Sequence, residues 1–267
     1  MEIGQQFLML QIDKKITSDD LSILVFKDRI AFCTLDQTHY FDLDKKNINS
    51  ENLSTWINYH NIKKTNNRCI LFENNGVIVP EKLFDKTKKK IYLSLTDDDL
   101  KNKKIEIKQI KSSQQVFVFS QNKDWEMLFK NLVVNLELTH FAAELIPFLP
   151  KLSNDNLKMN VFIHLRKDFF DLFIYQGSQL LLFNSFPHQD EEEFLYYLFF
   201  VLEQFHLKAH QFNAIFLGKF LKYQKYYNVF KKFHSQTNFT YPKNSEIDAN
   251  HPAPFFNYFY YHESNIG

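Results

Sequence analysis

Glycine is scarce in this chain of 267 residues. There are five, with Gly4 and Gly267 near the ends and only Gly76, Gly177 and Gly218 inside, against a usual share of about 7%. Phosphate loops need closely spaced glycines so that backbone amides can approach phosphate without a Cβ in the way. Three isolated glycines cannot make a P-loop, a dinucleotide-binding fingerprint or a kinase glycine loop. Cysteine is nearly absent too. Cys33 and Cys69 are too few for a disulfide scaffold, do not form a C-x-x-C pair, and each lie in an apolar run, which marks them as buried thiols of a reducing compartment. Net charge is also missing: thirty-two basic against thirty-one acidic side chains leave +1, so the whole chain has no electrostatic footprint for nucleic acid or an acidic membrane. No run approaches the eighteen or so apolar residues of a membrane span. Residues 1–14 carry Glu2, Gln5 and Gln6 and lack the basic lead and apolar core of a signal peptide. The expected compartment is the cytoplasm.

Apolar and aromatic side chains are plentiful. The chain is 45% hydrophobic and 24% charged, with thirty Phe and thirteen Tyr, enough to bury a sizeable core and to exclude disordered, collagenous or coiled-coil classes. Its length suits one large domain or two small ones.

Short β-rich runs around polar breaks predict a three-stranded antiparallel meander: Leu21 to Phe26, the break Lys27-Asp28-Arg29, Ile30 to Leu35, then His39 to Leu43. A short helix opens at Ser50 or Glu51 with Leu53, Trp56 and Ile57 on one face. Arg68 to Glu73 is the next strand, and Val77 to Pro80 leads into a helical turn over Glu81 to Phe84. Ile91 to Leu95, Lys104 to Ile110 and Gln115 to Ser120 read as further strands. From Asp124, Trp125, Leu128, Phe129, Leu132 and Val133 follow helical spacing. Leu136 to Phe141 reads as a strand and Ala142 to Leu149 as a helix containing Pro147. The polar stretch Ser153 to Lys158 is the expected boundary.

The pattern then recurs. Asn160 to Leu165, the break Arg166-Lys167-Asp168, Phe169 to Tyr175, the turn Gln176-Gly177-Ser178 and Gln179 to Phe186 predict a second meander. A helix follows over Asp190 to Phe205, with Glu191, Glu192 and Glu193 in its first turn and Leu195, Leu198, Phe199, Leu202 and Phe205 as its expected buried face. Phe212 to Leu217 is a strand ending at Gly218, Leu221 to His234 a Tyr- and Lys-rich helix, and Phe239 to Tyr241 a last strand.

Meander, helix, strand, helix, once per half, is the layout of tandem ribonuclease H-like domains. The segments Val77-Ile78-Val79-Pro80-Glu81-Lys82-Leu83-Phe84 and Leu180-Leu181-Leu182-Phe183-Asn184-Ser185-Phe186, followed by Asp190 and Phe194-Leu195-Tyr196-Tyr197-Leu198, resemble a bacterial family of unknown function with a duplicated actin-like fold. That layout is similar to the cytoplasmic actin-like proteins of pilus assembly and type II secretion. The resemblance runs from about Asp20 to about Tyr241. It implies a mixed α/β (α+β) chain of two actin-like lobes with a cleft between them: residues 1–155 with inserted strands, and residues 156–267 with an aromatic C-terminal segment.

Proteins resembling this fold hold nucleotide between the halves through an acidic residue and Gly in the first hairpin of each half, plus a Gly-Gly pair after a late strand. Here neither hairpin has Gly, and only Gly218 stands where the adenosine motif would be. Hydrolysis of ATP is therefore not expected, and no cofactor is expected; ATP with Mg²⁺ is the ligand a divergent cleft would take. His164, Arg166, Lys167 and Gly218 are the candidate cleft residues, with Arg166 and Lys167 able to neutralise phosphate. His206 and His210 stand at i and i+4 without the Glu of a zinc motif, Ser185 and His188 lack elbow glycines, and Asp97-Asp98-Asp99 and Glu191-Glu192-Glu193 suit a turn and a helix start. No metal site is expected. A Lys/Tyr surface on the late helix (Lys222, Lys225, Lys231 and Lys232 with Tyr223, Tyr226 and Tyr227) offers a third, nucleic-acid-binding reading. Phe255, Phe256, Tyr258, Phe259 and Tyr260 form a candidate interaction strip in the tail. The expectation is a non-hydrolytic interaction or regulatory module whose protein partner the sequence does not identify.

Overall fold

The computed structural model describes residues 7–9, 21–33, 38–43, 49–60, 62, 67–73, 76–94, 96, 100–133, 136–152 and 158–241. The N-terminal half runs β1 (Phe7–Met9), β2 (Leu21–Val25), β3 (Arg29–Cys33), β4 (Thr38–Asp42), α1 (Ser50–Tyr59), β5 (Asn67–Leu71), β6 (Gly76–Pro80), α2 (Lys89–Leu93), β7 (Lys103–Ile110), β8 (Gln115–Asn122), α3 (Lys123–Lys130), β9 (Leu136–His140) and α4 (Phe141–Leu145). The C-terminal half runs β10 (Met159–Leu165), β11 (Phe169–Gln176), β12 (Gln179–Pro187), α5 (Glu191–Gln204), β13 (Phe212–Leu217), α6 (Gln224–Lys231) and β14 (Thr237–Tyr241). Among the described residues no helix is long and apolar enough to cross a membrane.

The chain divides into two compact units. The first holds the described residues of 12–110 and 114–145; the second holds those from Ile146 onward, together with β1 and Lys111–Ser113. Strand order shows the duplication directly, as β4-β3-β2-β5-β9 in the first and β12-β11-β10-β13-β14 in the second, where β1 adds outside β14. In each, three strands form an antiparallel meander and two more join in parallel. A parallel neighbour needs a crossover, which α1 supplies before β5 and α5 before β13. The central strands β2 and β10 are buried along nearly their whole length, which is why both read as near-continuous apolar runs. The first unit also carries a separate antiparallel sheet ordered β6-β8-β7, with Val79, Leu93, Val116 and Val118 in its core.

Local chemistry sets the element ends. Asn49 caps α1 by accepting from the Asn52 amide at 2.7 Å, and Asp190 caps α5 by accepting from the amides of Glu192 and Glu193 at 3.0 and 2.9 Å. Cys33 and Cys69 are both buried.

Four expectations need correction. Ile91 to Leu95 is not a strand: Lys89–Leu93 is helical, fixed by Tyr92, whose hydroxyl accepts from the Asp85 amide at 2.9 Å and donates to the Leu83 carbonyl at 3.0 Å. The helix expected over Ala142 to Leu149 is cut short at Leu145, because a proline at 147 disfavours helical backbone just before it. Leu221 to His234 is a 3₁₀ turn over Leu221–Tyr223 followed by α6, which ends at Lys231. The buried face of α5 is Phe194, Leu198, Val201 and Leu202, while Leu195 and Phe199 are only partly buried. This helix is apolar nearly all round, so periodicity alone does not select a face.

Candidate functional site at the ends of β10 and β13

In open α/β sheets, ligands gather beyond the carboxyl ends of the parallel strands, at the strand where the strand order switches direction. In the second unit that strand is β10, between β13 and β11. Its end runs into the Arg166-Lys167-Asp168 turn, closed by the Arg166 amide donating to the Phe169 carbonyl at 2.8 Å. The His188 amide then donates to the Asp168 carbonyl at 3.1 Å. The first unit repeats both bonds, from the Phe26 amide to the Arg29 carbonyl and from the Leu43 amide to the Asp28 carbonyl, each 2.9 Å. Both turns carry Lys-Asp at the same place, as Lys27-Asp28 and Lys167-Asp168.

The side chains differ. Register sets His164 opposite Asp171 and Asp171 opposite Ser185, one row across three strands. Asp171 accepts from His164 Nδ1 at 2.9 Å, Arg166 Nε at 2.8 Å, Arg166 Nη2 at 2.6 Å and Ser185 Oγ at 2.6 Å. It is wholly buried, as is His164, and the Arg166 side chain is 10% exposed. Burial alone would raise the Asp171 carboxyl, but the Arg166 guanidinium and the His164 hydrogen bond hold it far below the usual carboxylate range. Burial in turn lowers the His164 imidazole despite its carboxylate partner, so the pair is a neutral imidazole donating to a carboxylate. At the corresponding register the first unit has Leu24 opposite Ala31. The hairpin fold does not require this polar row.

Gly218 follows β13 with φ of +88°, a region that costs a side chain strain. A Cβ there would lie 2.7 Å from the Phe220 ring, and Phe220 is 1% exposed. The Gly218 amide donates to Thr240 Oγ1 at 3.3 Å, and the Phe220 amide donates to the Tyr227 hydroxyl at 3.1 Å. Lys222 Nζ stands 4.8 Å from the centre of the Tyr223 ring. The loop after Gly218 is thus folded onto itself.

Of the candidate cleft residues, the structure joins His164 and Arg166 through Asp171, leaves Lys167 exposed at the turn, and puts Gly218 at the end of the neighbouring strand. Asp171 was missed by sequence reasoning; its signal is a lone acid in an apolar strand that faces His164 when residues are counted outward from the turn. His188 does not meet Ser185: its Nε2 pairs with the Arg166 carbonyl at 3.0 Å and its Nδ1 with the Tyr226 hydroxyl at 3.1 Å. The Lys/Tyr stacking surface is corrected as well. Tyr223, Tyr226 and Tyr227 are all buried in the core of the second unit, because Tyr226 and Tyr227 with Phe230 form the buried face of α6 and Tyr223 packs inward from the 3₁₀ turn before it. The aromatic strip Phe255, Phe256, Tyr258, Phe259 and Tyr260 lies outside the described residues, as do Asp97-Asp98-Asp99, His251 and His262. No cluster of three or more metal-ligating side chains occurs among the described residues.

The first unit has its own buried acid. Glu144 accepts from Thr139 Oγ1 at 2.8 Å, Lys108 Nζ at 3.1 Å and Arg68 Nη1 at 3.0 Å, beside a polar cavity of about 310 Å³. Burial opposes its ionisation, yet Lys108 and Arg68 lower its carboxyl below the ordinary value.

A family model described as protein of unknown function (DUF3822) matches residues 10–237. The chain belongs to this family. The DUF3822 chain is also similar to a solved protein from Bacteroides thetaiotaomicron VPI-5482 described as having an actin-like ATPase fold and unknown function. They are 19% identical, with a TM-score of 0.70 over 84% of this chain and 91% of that one. A second solved structure, the PilM-PilN type IV pilus biogenesis complex, matches at 9% identity and a TM-score of 0.57 over 91% of this chain and 96% of that one. Both likenesses show the fold, so this DUF3822 member has the actin-like ATPase fold. No curated protein matches its sequence.

Three buried histidines of the second unit bear on acid stability. Burial lowers His164, His188 and His234 below the ordinary imidazole value. In the unfolded chain each takes up a proton near pH 6.5, which the folded state resists. Below that pH the unfolded state binds more protons, so stability falls as pH drops, by up to about 1.4 kcal/mol per pH unit for each histidine. Asp171 adds its own loss only below about pH 4, since its unfolded value is near 3.9. Denaturant midpoints measured from pH 8 to pH 5 should fall steadily below about 6.5. A flat profile there would contradict the neutral state assigned to these imidazoles.

Proposed function

We propose that this chain is a cytoplasmic, non-hydrolytic protein-interaction or regulatory module built on the actin-like ATPase fold. The observation that carries the reading is the Phe220 ring filling the space beside the Gly218 backbone, at the position that resembles the adenosine motif. A phosphate cradle needs exposed amides and uncommitted charge. Here the Gly218 amide already donates to Thr240, and Arg166 makes a two-pronged pair with the buried Asp171. The turn beside them carries no glycine. These residues do not fit a nucleotide phosphate. The similar PilM is described in a complex with PilN, which supports an interaction role for a fold of this kind.

Thermal unfolding with and without millimolar ATP–Mg²⁺ tests the reading, because a ligand of the native state raises apparent stability by about 2.7 kcal/mol at a hundred times its Kd. No shift and no phosphate release are expected. A saturable upward shift would replace this reading with that of a divergent nucleotide-binding protein.

A further inference from the structure

We infer that the outer face of α5 is a docking groove for an apolar segment of a partner protein that carries basic residues at both ends. The inference rests on the interaction-module reading and gives it a surface and a ligand chemistry. Helix α5 has two apolar faces. Phe194, Leu198, Val201 and Leu202 face the core, while Leu195, Tyr196, Phe199 and Phe200 line a groove of about 330 Å³ closed on one side by Phe233. Tyr196, Phe200 and Phe233 are 63%, 51% and 58% exposed. The ring of Phe199 meets Phe233 edge-on at 5.0 Å, and Tyr196 stacks with Phe200 at 6.5 Å. Single exposed apolar residues are ordinary, but several contiguous aromatic ones mark a binding surface.

Charge selects the occupant. Glu192 and Glu203 line the groove toward the two ends of α5, and among the described residues no basic side chain lines it. Those acids stand eleven residues apart on one helix, roughly 16 Å along its axis. A ligand with apolar side chains between two cationic ends at that spacing satisfies both the rings and the carboxylates. A second copy seated by two-fold symmetry would set Glu192 against Glu203 of its mate, which repels. The same acids disfavour phosphate-rich surfaces.

Two synthetic amphipathic helical peptides with the same Leu/Phe stripe, one flanked by Lys and one by Glu, provide the probe, read by fluorescence anisotropy on the full chain. The Lys-flanked peptide should bind saturably and at least ten-fold tighter than the Glu-flanked one. Phe200→Glu should abolish binding without lowering the melting temperature, since Phe200 is half exposed. Combining Glu192→Lys with Glu203→Lys should reverse the preference between the peptides. Equal binding of both peptides, no binding of either, or binding indifferent to Phe200→Glu overturns the proposal. So does a dimer in sedimentation that Phe200→Glu dissolves, which would make a second copy the occupant. Failure here with no ATP-induced shift removes the groove alone, whereas a saturable ATP shift removes the module reading itself.

Discussion

An Asp171→Ala variant is expected to lose about 3–5 kcal/mol of unfolding free energy, read from urea midpoints at pH 7.5, because removing one member of a buried ion pair strands the other. Arg166 and His164 would be left pointing three N–H donors and a positive charge at the space the carboxylate filled. Asp171→Asn should cost much of the same amount, since it keeps the shape and loses the charge. The first unit suggests how to restore the loss: its hairpin has Phe26, Leu24 and Ala31 at the places of Arg166, His164 and Asp171. Combining Arg166→Phe, His164→Leu and Asp171→Ala should therefore recover most of the stability, as buried ion pairs replaced together by apolar residues often do. A loss under about 1 kcal/mol for Asp171→Ala would mean that water reaches the cluster.

Gly218→Ala should cost about 2–4 kcal/mol, from two sources. Left-handed backbone strain accounts for about 1–3 kcal/mol, and the new methyl meets the Phe220 ring at 2.7 Å, adding an overpacking cost. Phe220→Ala alone should cost about 3–5 kcal/mol by leaving a cavity in a fully buried place. The double variant should cost less than the two single losses together, because the methyl then has room. Strict additivity would show that the ring and the glycine do not touch in solution.

Much of the fold could be read in advance because its turns are polar and short. Lys27-Asp28-Arg29 and Arg166-Lys167-Asp168 interrupt apolar strands that need no other signal, and Asp190 marks the start of α5 by its capping chemistry. The apolar run Ile91-Tyr92-Leu93 reads as a strand, but a single buried Leu93 and the Tyr92 hydroxyl bonds settle a short helix there. Arg166 and His164 were identifiable as candidates for the site, whereas their tie to Asp171 depends on cross-strand register, which one sequence reports only once the turn is placed. The tyrosines of α6 were visible as a pattern and ambiguous as to side. Lys and Tyr at helical spacing usually mean a buried stripe beside a solvated one and less often a stacking surface, and packing against Phe194 and Phe239 decides for the first.

Strand β1 adds to the sheet of the second unit in register with β14, Phe7 beside Phe239, although roughly 230 residues separate them. During synthesis β1 leaves the ribosome long before its neighbour exists. At about 5–20 residues per second it waits on the order of ten to fifty seconds while the whole first unit is made. Its place beside β14 can be filled only once β14 has been made, so an early strand must wait for a late one before it finds its seat.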